Sequence, residues 1–201
     1  MRLTSLVGLA LGAALVLSAC SGAPGVEGPS GQPDRAEFDG EVRIEALESI
    51  EGAERVVVDG VGIDVPPGSS AEEVVLSDQI TQLVITSEGR ERADAVVTVA
   101  RLDRVTDTDV FLDLKSGRAQ VDPAALRDVE ELNADWAGFG YALAMKGEVD
   151  TGEGEFREFL YVTSRDDAGS RAISVSCEAA DGAVEDSLGY ELLRTVRVDE
   201  D

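Results

Sequence analysis

Few side chains in this 201-residue sequence can do covalent or acid–base chemistry. Histidine is absent, which removes Ser-His-Asp and Cys-His catalysis together with His-based zinc sites. Lysine occurs only as Lys115 and Lys146, leaving little scope for Ser-Lys or Schiff-base nucleophiles. Neither a Gly-x4-Gly-Lys phosphate loop nor a dinucleotide fingerprint is present. Carboxylates are abundant, 41 in all. A glycosidase needs two of them at a fixed separation, and among so many any pair can be drawn, so their number identifies no site. Trp136 could stack on a sugar, but at the end of an expected helix it fits packing. Asp103, Asp107, Asp109 and Asp113 could offer oxygens to Ca2+ or Mn2+. Counted from Asp103, however, the Gly at position six and the Glu at position twelve of an EF-hand loop are missing, and the run reads as a solvated loop and helix start. Asp166-Asp167 reads as a hairpin turn. These residues assign no catalytic, cofactor-binding or metal site, and the chain is expected not to be an enzyme.

The remaining chemistry is that of two thiols. Cys20 closes the run Leu17-Ser18-Ala19-Cys20, after one basic residue (Arg2) and an uncharged apolar stretch from Leu3 to Ala19. A basic start, an apolar middle and small residues before a cut form a secretory signal. Ending it on Cys looks like a bacterial lipobox, in which that Cys becomes the acylated mature N-terminus. The stretch is at the short limit for a membrane span, and Ser21-Gly22-Ala23-Pro24-Gly25 follows it instead of a basic flank. One acyl chain binds a membrane marginally and two bind stably, so a diacylglyceryl group on Cys20, with chains such as palmitate, predicts a firm anchor. Residues 1–19 are then a removed signal. Cys177 becomes the single thiol, with no partner for an intramolecular disulfide. Ile173, Val175, Cys177 and Ala179 alternate with Ser174, Ser176 and Glu178, which puts Cys177 on the apolar face of a strand, buried and inert.

Composition narrows the partners. The formal charge is −24, and loss of residues 1–19 removes one Arg and no acid, leaving −25. A polyanion repels nucleic-acid phosphates and anionic lipid headgroups, so no nucleic acid is expected, and membrane contact runs through Cys20 alone. A hydrophobic content of 43% suffices for a core. The excess of Arg over Lys, with abundant Ala, Val, Gly and Asp, resembles high-GC, actinobacterial usage.

Elements that could position these groups follow from pattern. Residues 20–54 read as a lipidated Cys, a Pro/Gly/Ser tether to Asp34 and an acidic stretch with a weak strand or short helix. Stretched out, residues 21–34 reach about 45–50 Å. A single domain is expected over 55–201. Arg55–Val65 predicts two short strands about a turn at Asp59-Gly60. Residues 69–80 stay ambiguous between a capped helix at Ser70 and a strand favoured by Val74-Val75. Gln82–Thr86 and Ala95–Leu102 predict strands, and Asp107 or Thr108 a short helix to Leu114. Asp122-Pro123 predicts a helix to about Asn133 with Leu126, Val129 and Leu132 on one face. Three long strands follow, beginning near Phe139, Glu155 and Arg171. Short turns between them dictate an antiparallel meander. Apolar residues on both faces of 159–162 predict a strand covered on both sides. A last helix over 183–195 with Asp181 as N-cap, then an extended tail at Val196 and Val198, completes an α+β fold: an antiparallel sheet with helices packed on it.

In this order the chain resembles actinobacterial lipoproteins of the LpqN/LpqT type. The resemblance rests on Cys20 with its tether, Gly62-Ile63-Asp64-Val65-Pro66-Pro67-Gly68, Asp122-Pro123, and Arg171–Ala179 followed by the helix ending Leu193-Arg194-Thr195-Val196-Arg197-Val198. It covers roughly residues 55–198. It implies a PsbP-like α/β/α sandwich and a non-enzymatic interaction or scaffolding module on the outer face of the cytoplasmic membrane, with an envelope protein as partner. A small-ligand or divalent-cation-binding lipoprotein is the alternative.

Overall fold

A computed structural model describes residues 38–152 and 154–199. Cys20 and the signal and tether assigned to residues 1–37 lie outside the described residues. The chain folds as β1 (Glu41–Ile44), β2 (Glu54–Val58), β3 (Val61–Val65), β4 (Ser69–Ser77), β5 (Ile80–Ser87), β6 (Ala95–Arg101), α1 (Asp107–Gln120), β7 (Leu126–Trp136), β8 (Ala142–Asp150), β9 (Phe156–Arg165), β10 (Arg171–Glu178), α2 (Leu188–Thr195) and β11 (Arg197–Val198). An eight-stranded sheet has the order β1-β7-β8-β9-β10-β6-β5-β4, and a three-stranded sheet the order β11-β3-β2. The fold is α+β.

Two antiparallel runs, β4-β5-β6 and β7-β8-β9-β10, meet where β6 pairs with β10. Alternation along β6-β10-β9-β8-β7 leaves β6 and β7 parallel, and parallel strands need a crossover. Helix α1 is that crossover, lying against β8 and β9. The chain leaves β10 on the opposite face, where α2 lies against β10, β3 and β6 and then enters β11. Each face therefore has its own core. Val97, Leu160, Val162, Ile173, Val175 and Cys177 meet Leu192 and Leu193 of α2 and Ile63 of the small sheet. Leu143, Met145, Phe159 and Tyr161 meet Val110 and Leu114 of α1. Strand β9 supplies both cores, as its two-sided apolar pattern requires.

The Asp59-Gly60 turn forms as expected, with both residues at positive φ (51° and 77°), the pair of angles a two-residue hairpin favours. Asp64 fastens the small sheet to the end of α2. Arg55 donates to its carboxylate (2.9 Å) and also to the Thr195 carbonyl and Asp199, while the Asp64 amide donates to Thr195 Oγ1. Asp166 is a turn anchor: its carboxylate accepts from the amides of Ser170 and Arg171 and from the Ser170 hydroxyl. Burial works against its ionisation, but these donors hold it below the usual carboxylate range.

Several expectations are corrected. The helix expected over 122–133 is a single 3-10 turn, Pro123–Ala125, followed by β7. Asp122 does cap that turn, accepting from the Ala124 amide at 2.9 Å. The three-residue spacing of Leu126 and Val129 comes from a bulge between Arg127 and Glu130, with Asp128 at φ 48°, which imitates a helical period inside a strand. Tertiary demand decides the outcome, because β8 is apolar on both faces and needs a neighbour along its length. The ambiguous segment after residue 69 is strand β4. The cap of α1 is Thr106 and not the expected Asp107 or Thr108, and the helix runs past Leu114 to Gln120; Thr106 and Asp109 form a reciprocal capping box. The last helix is broken into a 3-10 turn, Val184–Asp186, and α2, whose N-cap is Ser187 and not Asp181. The first meander strand begins at Ala142, after a turn in which Trp136 stacks on Phe139. Residues before 55, expected as a weak strand or short helix, also join the packing. Strand β1 pairs in parallel with β7, Ile44 is buried in the core, and the Leu47 amide donates to the Arg194 carbonyl.

Helix α2 sits so close to the sheet that a Cβ at Gly189 would meet the Asp94 carbonyl oxygen and lie 2.7 Å from Cys177 Cβ. Gly189→Ala is expected to lower stability by roughly 1–3 kcal/mol in urea denaturation, because backbone on both sides must move. An unchanged midpoint would show that α2 is docked more loosely.

Candidate functional site

Helix α1 carries the site. Its buried positions are Val110, Asp113, Leu114 and Gly117, the i, i+3, i+4, i+7 stripe of a docked helix. Two of the four are aliphatic, and the others are an acid and a glycine. Gly117 lets the helix approach until a Cβ there would lie 3.3 Å from the Tyr161 ring. That approach brings Asp113 onto the Tyr161 hydroxyl, which donates to Asp113 Oδ2 at 2.6 Å.

Asp113 is 3% exposed. Burial pushes its carboxyl above the usual carboxylate range, and the Tyr161 hydroxyl offsets only part of this. Burial, with the Asp113 carboxylate next to it, pushes the Tyr161 phenol well above its ordinary value. Thr163 also faces the carboxyl and stabilises its charge, but its hydroxyl falls outside hydrogen-bonding geometry. Asp113 Oδ1 and Thr163 Oγ1 are thus left without a hydrogen-bond partner among the described residues. Orphaned buried oxygens cost of the order of 1–3 kcal/mol each.

Beside α1 the sheet face turns polar. Thr163, Ser174, Thr98 and Gln82 stand in one cross-strand row over β9, β10, β6 and β5, and Ser176 stands opposite Tyr161 in the next. Thr98 accepts from the Gln82 amide at 3.2 Å. All five are buried. The seam joins one carboxyl, one phenol and a line of hydroxyls. The phenol holds its proton in the hydrogen bond to Asp113, and the group lies buried beneath α1.

The acidic run is not brought together. Asp103 is exposed, Asp107 pairs with Arg165 (2.7 Å), Asp109 closes the α1 capping box, and Asp113 faces Tyr161. No group of three or more acidic or Cys side chains placed to hold a metal ion occurs among the described residues. Trp136 ends β7, not a helix, and is buried against Phe139 with ring centroids 4.1 Å apart. It borders an open cleft of about 400 Å3 with Glu41, Asn133 and Asp135. Cys177 is fully buried, its thiol donates to the Leu160 carbonyl at 3.5 Å, and burial pushes its pKa up to about 12. By sequence, Asp113 belongs to a solvated run. Its spacing from Val110 and Leu114 was the available signal, hidden because Asp and Gly fill half of the stripe.

No protein-family model and no curated protein matches the chain. Among solved structures, a protein from Bacteroides thetaiotaomicron VPI-5482 aligns over 75% of this chain and 50% of its own, at 10% identity and a TM-score of 0.42. The chain thus spans about half the length of that protein. A point mutant of the protein Mog1 aligns over 71% of this chain and 87% of its own, at 12% identity and a TM-score of 0.38.

The raised Asp113 carboxyl makes a pH prediction. With the folded value above the unfolded one, the native state holds more protons between the two, so this group's contribution falls as pH rises through that window. Glu131, Asp166 and Glu185 are held low and act in the opposite direction, but they cancel between variants. In urea denaturation, Asp113→Asn is expected to gain on the wild type as pH rises from about 4 to 8. Parallel curves would show an ordinary carboxylate at Asp113.

Proposed function

We propose that this protein is a lipoprotein held on the outer face of the cytoplasmic membrane through acylated Cys20, and that its domain is a non-enzymatic interaction or scaffolding module of the cell envelope. The observation that carries the reading is the position of Cys20, directly after a basic residue, an uncharged apolar stretch and Leu17-Ser18-Ala19. The seam at Asp113 supports the non-enzymatic part, because its acid is engaged by a phenol inside the fold and not presented to a substrate. The finer expectation, a PsbP-like member of the LpqN/LpqT type, is part of the same proposal; α1 and α2 on opposite sheet faces are the arrangement it calls for.

Net charge fits this placement. A chain at −24, or −25 without residues 1–19, is repelled by anionic lipid headgroups, so the lipid supplies the attachment while the body stands off the surface on its tether.

Cys20→Ala is expected to move the protein from the membrane to the soluble fraction; a variant that stays fully membrane-bound defeats the anchor. Thiol titration gives an independent reading. Native protein extracted from membranes should show no reactive thiol, and unfolded protein one, from Cys177. Two thiols on unfolding would mean that Cys20 carries no lipid.

A further inference from the structure

The two ends of the large sheet are unlike. Strand β1 is four residues long, whereas β4 runs for nine, has no buried residue and pairs only with β5 among the described residues. An unpaired strand edge offers a row of amide donors and carbonyl acceptors to a further strand, and proteins usually shield long edges. Two of the few large apolar side chains left exposed are here, Val75 at 66% and Leu76 at 49%.

Side chains along this edge have a definite order. Ala71, Glu73 and Val75 stand opposite Ile85, Leu83 and Thr81, while Glu72 and Val74 stand opposite Val84 and Gln82 on the other face. The edge therefore presents one glutamate on each face at 72 and 73, then Val74 and Val75, before a bulge between Val75 and Ser77 that takes Leu76 out of register. Among the described residues neither glutamate makes an ion pair. A second copy fits poorly. Two β4 edges paired about the glutamates set like charges opposite each other, and shifted registers set glutamate against Val74 or Val75, between chains that each carry −24.

We propose that the outer edge of β4 docks an extended segment of a partner protein as a ninth strand, and that this segment carries two adjacent basic residues next to a short aliphatic or β-branched run. The proposal rests on the reading of the chain as an interaction module and names its surface. Main-chain hydrogen bonds along β4 supply affinity, and the side-chain order supplies register. An antiparallel occupant reads aliphatic-aliphatic-basic-basic, so that its basic pair meets Glu73 and Glu72 while its aliphatic residues meet Val75 and Val74, short of the bulge at Leu76.

Random nonapeptides displayed on phage and selected against the purified full chain test this. Enriched peptides should carry the adjacent Lys/Arg pair beside aliphatic or β-branched residues and slow amide exchange over residues 69–77. They should lose roughly tenfold or more in affinity for the Glu72→Lys, Glu73→Lys double variant. Replacing the peptide's basic pair by glutamates should restore binding to that variant, which shows that its fold and edge are intact. The proposal is overturned if no peptide is enriched, if enriched peptides lack the basic pair, if charge reversal leaves their binding unchanged, if protection falls elsewhere, or if the chain dimerises through β4. Fractionation of Cys20→Ala reads the anchor separately, so failure at the β4 edge and failure of the lipoprotein reading are told apart.

Discussion

Strand β9 is apolar on both faces, and both faces have to be kept from water. Phe159 and Tyr161 point one way, Leu160 and Val162 the other, and all four are buried. Fully burying a side chain of this size is worth about 1.5–3 kcal/mol, so baring the two on either face would cost about 3–6 kcal/mol, a large share of the roughly 5–15 kcal/mol by which a domain is stable. Yet the chain has only two α-helices among its described residues, of fourteen and eight residues. The rest of the architecture answers that shortage. The short helix covers its face only together with the three-stranded sheet, which Arg55, Asp64 and Thr195 fasten to it. Close approach, through Gly189 on one side and Gly117 on the other, makes the most of each helix.

Helix α1 shows the cost of this economy. Its docking stripe holds Asp113 and Gly117 where a well-formed amphipathic helix would have aliphatic residues. Val110 and Leu114 supply the apolar contact. Other links fix the helix at its rim: Asp107 with Arg165, and Lys115 and Arg118 with Glu131. Burial opposes the charge on Glu131, but its two cationic partners hold it ionised. Asp113 has no such cation. Its partner is a phenol, which stabilises the carboxylate less than a cation does, and hence its titration is displaced upward while that of Glu131 is displaced downward.

Charge on the outside has a different role. Most acids in the domain meet solvent, where screening confines each field to about 8–10 Å. The collective field still matters for encounter: it opposes headgroups, nucleic acid and a second copy of the chain, and favours basic segments. If Cys20 is acylated as proposed, the attachment is hydrophobic and located in one residue, and the surface of the domain is left for contacts that its charge selects.

What the sequence determined by itself is local. Two positive-φ residues at Asp59-Gly60 set a hairpin, alternation set β9 and β10 and the burial of Cys177, and short turns set an antiparallel meander, because each of these depends on neighbours within a few residues. The pattern before Cys20, on which the proposed anchor rests, is local in the same sense. Only the tertiary structure decided the rest. Leu126–Trp136 carries helix-start signals and an imitation of helical spacing, yet becomes a strand because β8 needs a partner and a bulge at Asp128 resets the alternation. Strand β1, which the sequence leaves between a weak strand and a short helix, is settled by its parallel pairing with β7. The carboxylates of the acidic run part company because α1 turns Asp113 inward and leaves Asp103 in water. The seam brings together residues 98, 113, 161, 163 and 174. Such groupings depend on which strands are neighbours and which faces are covered, and that is a property of the whole packed chain.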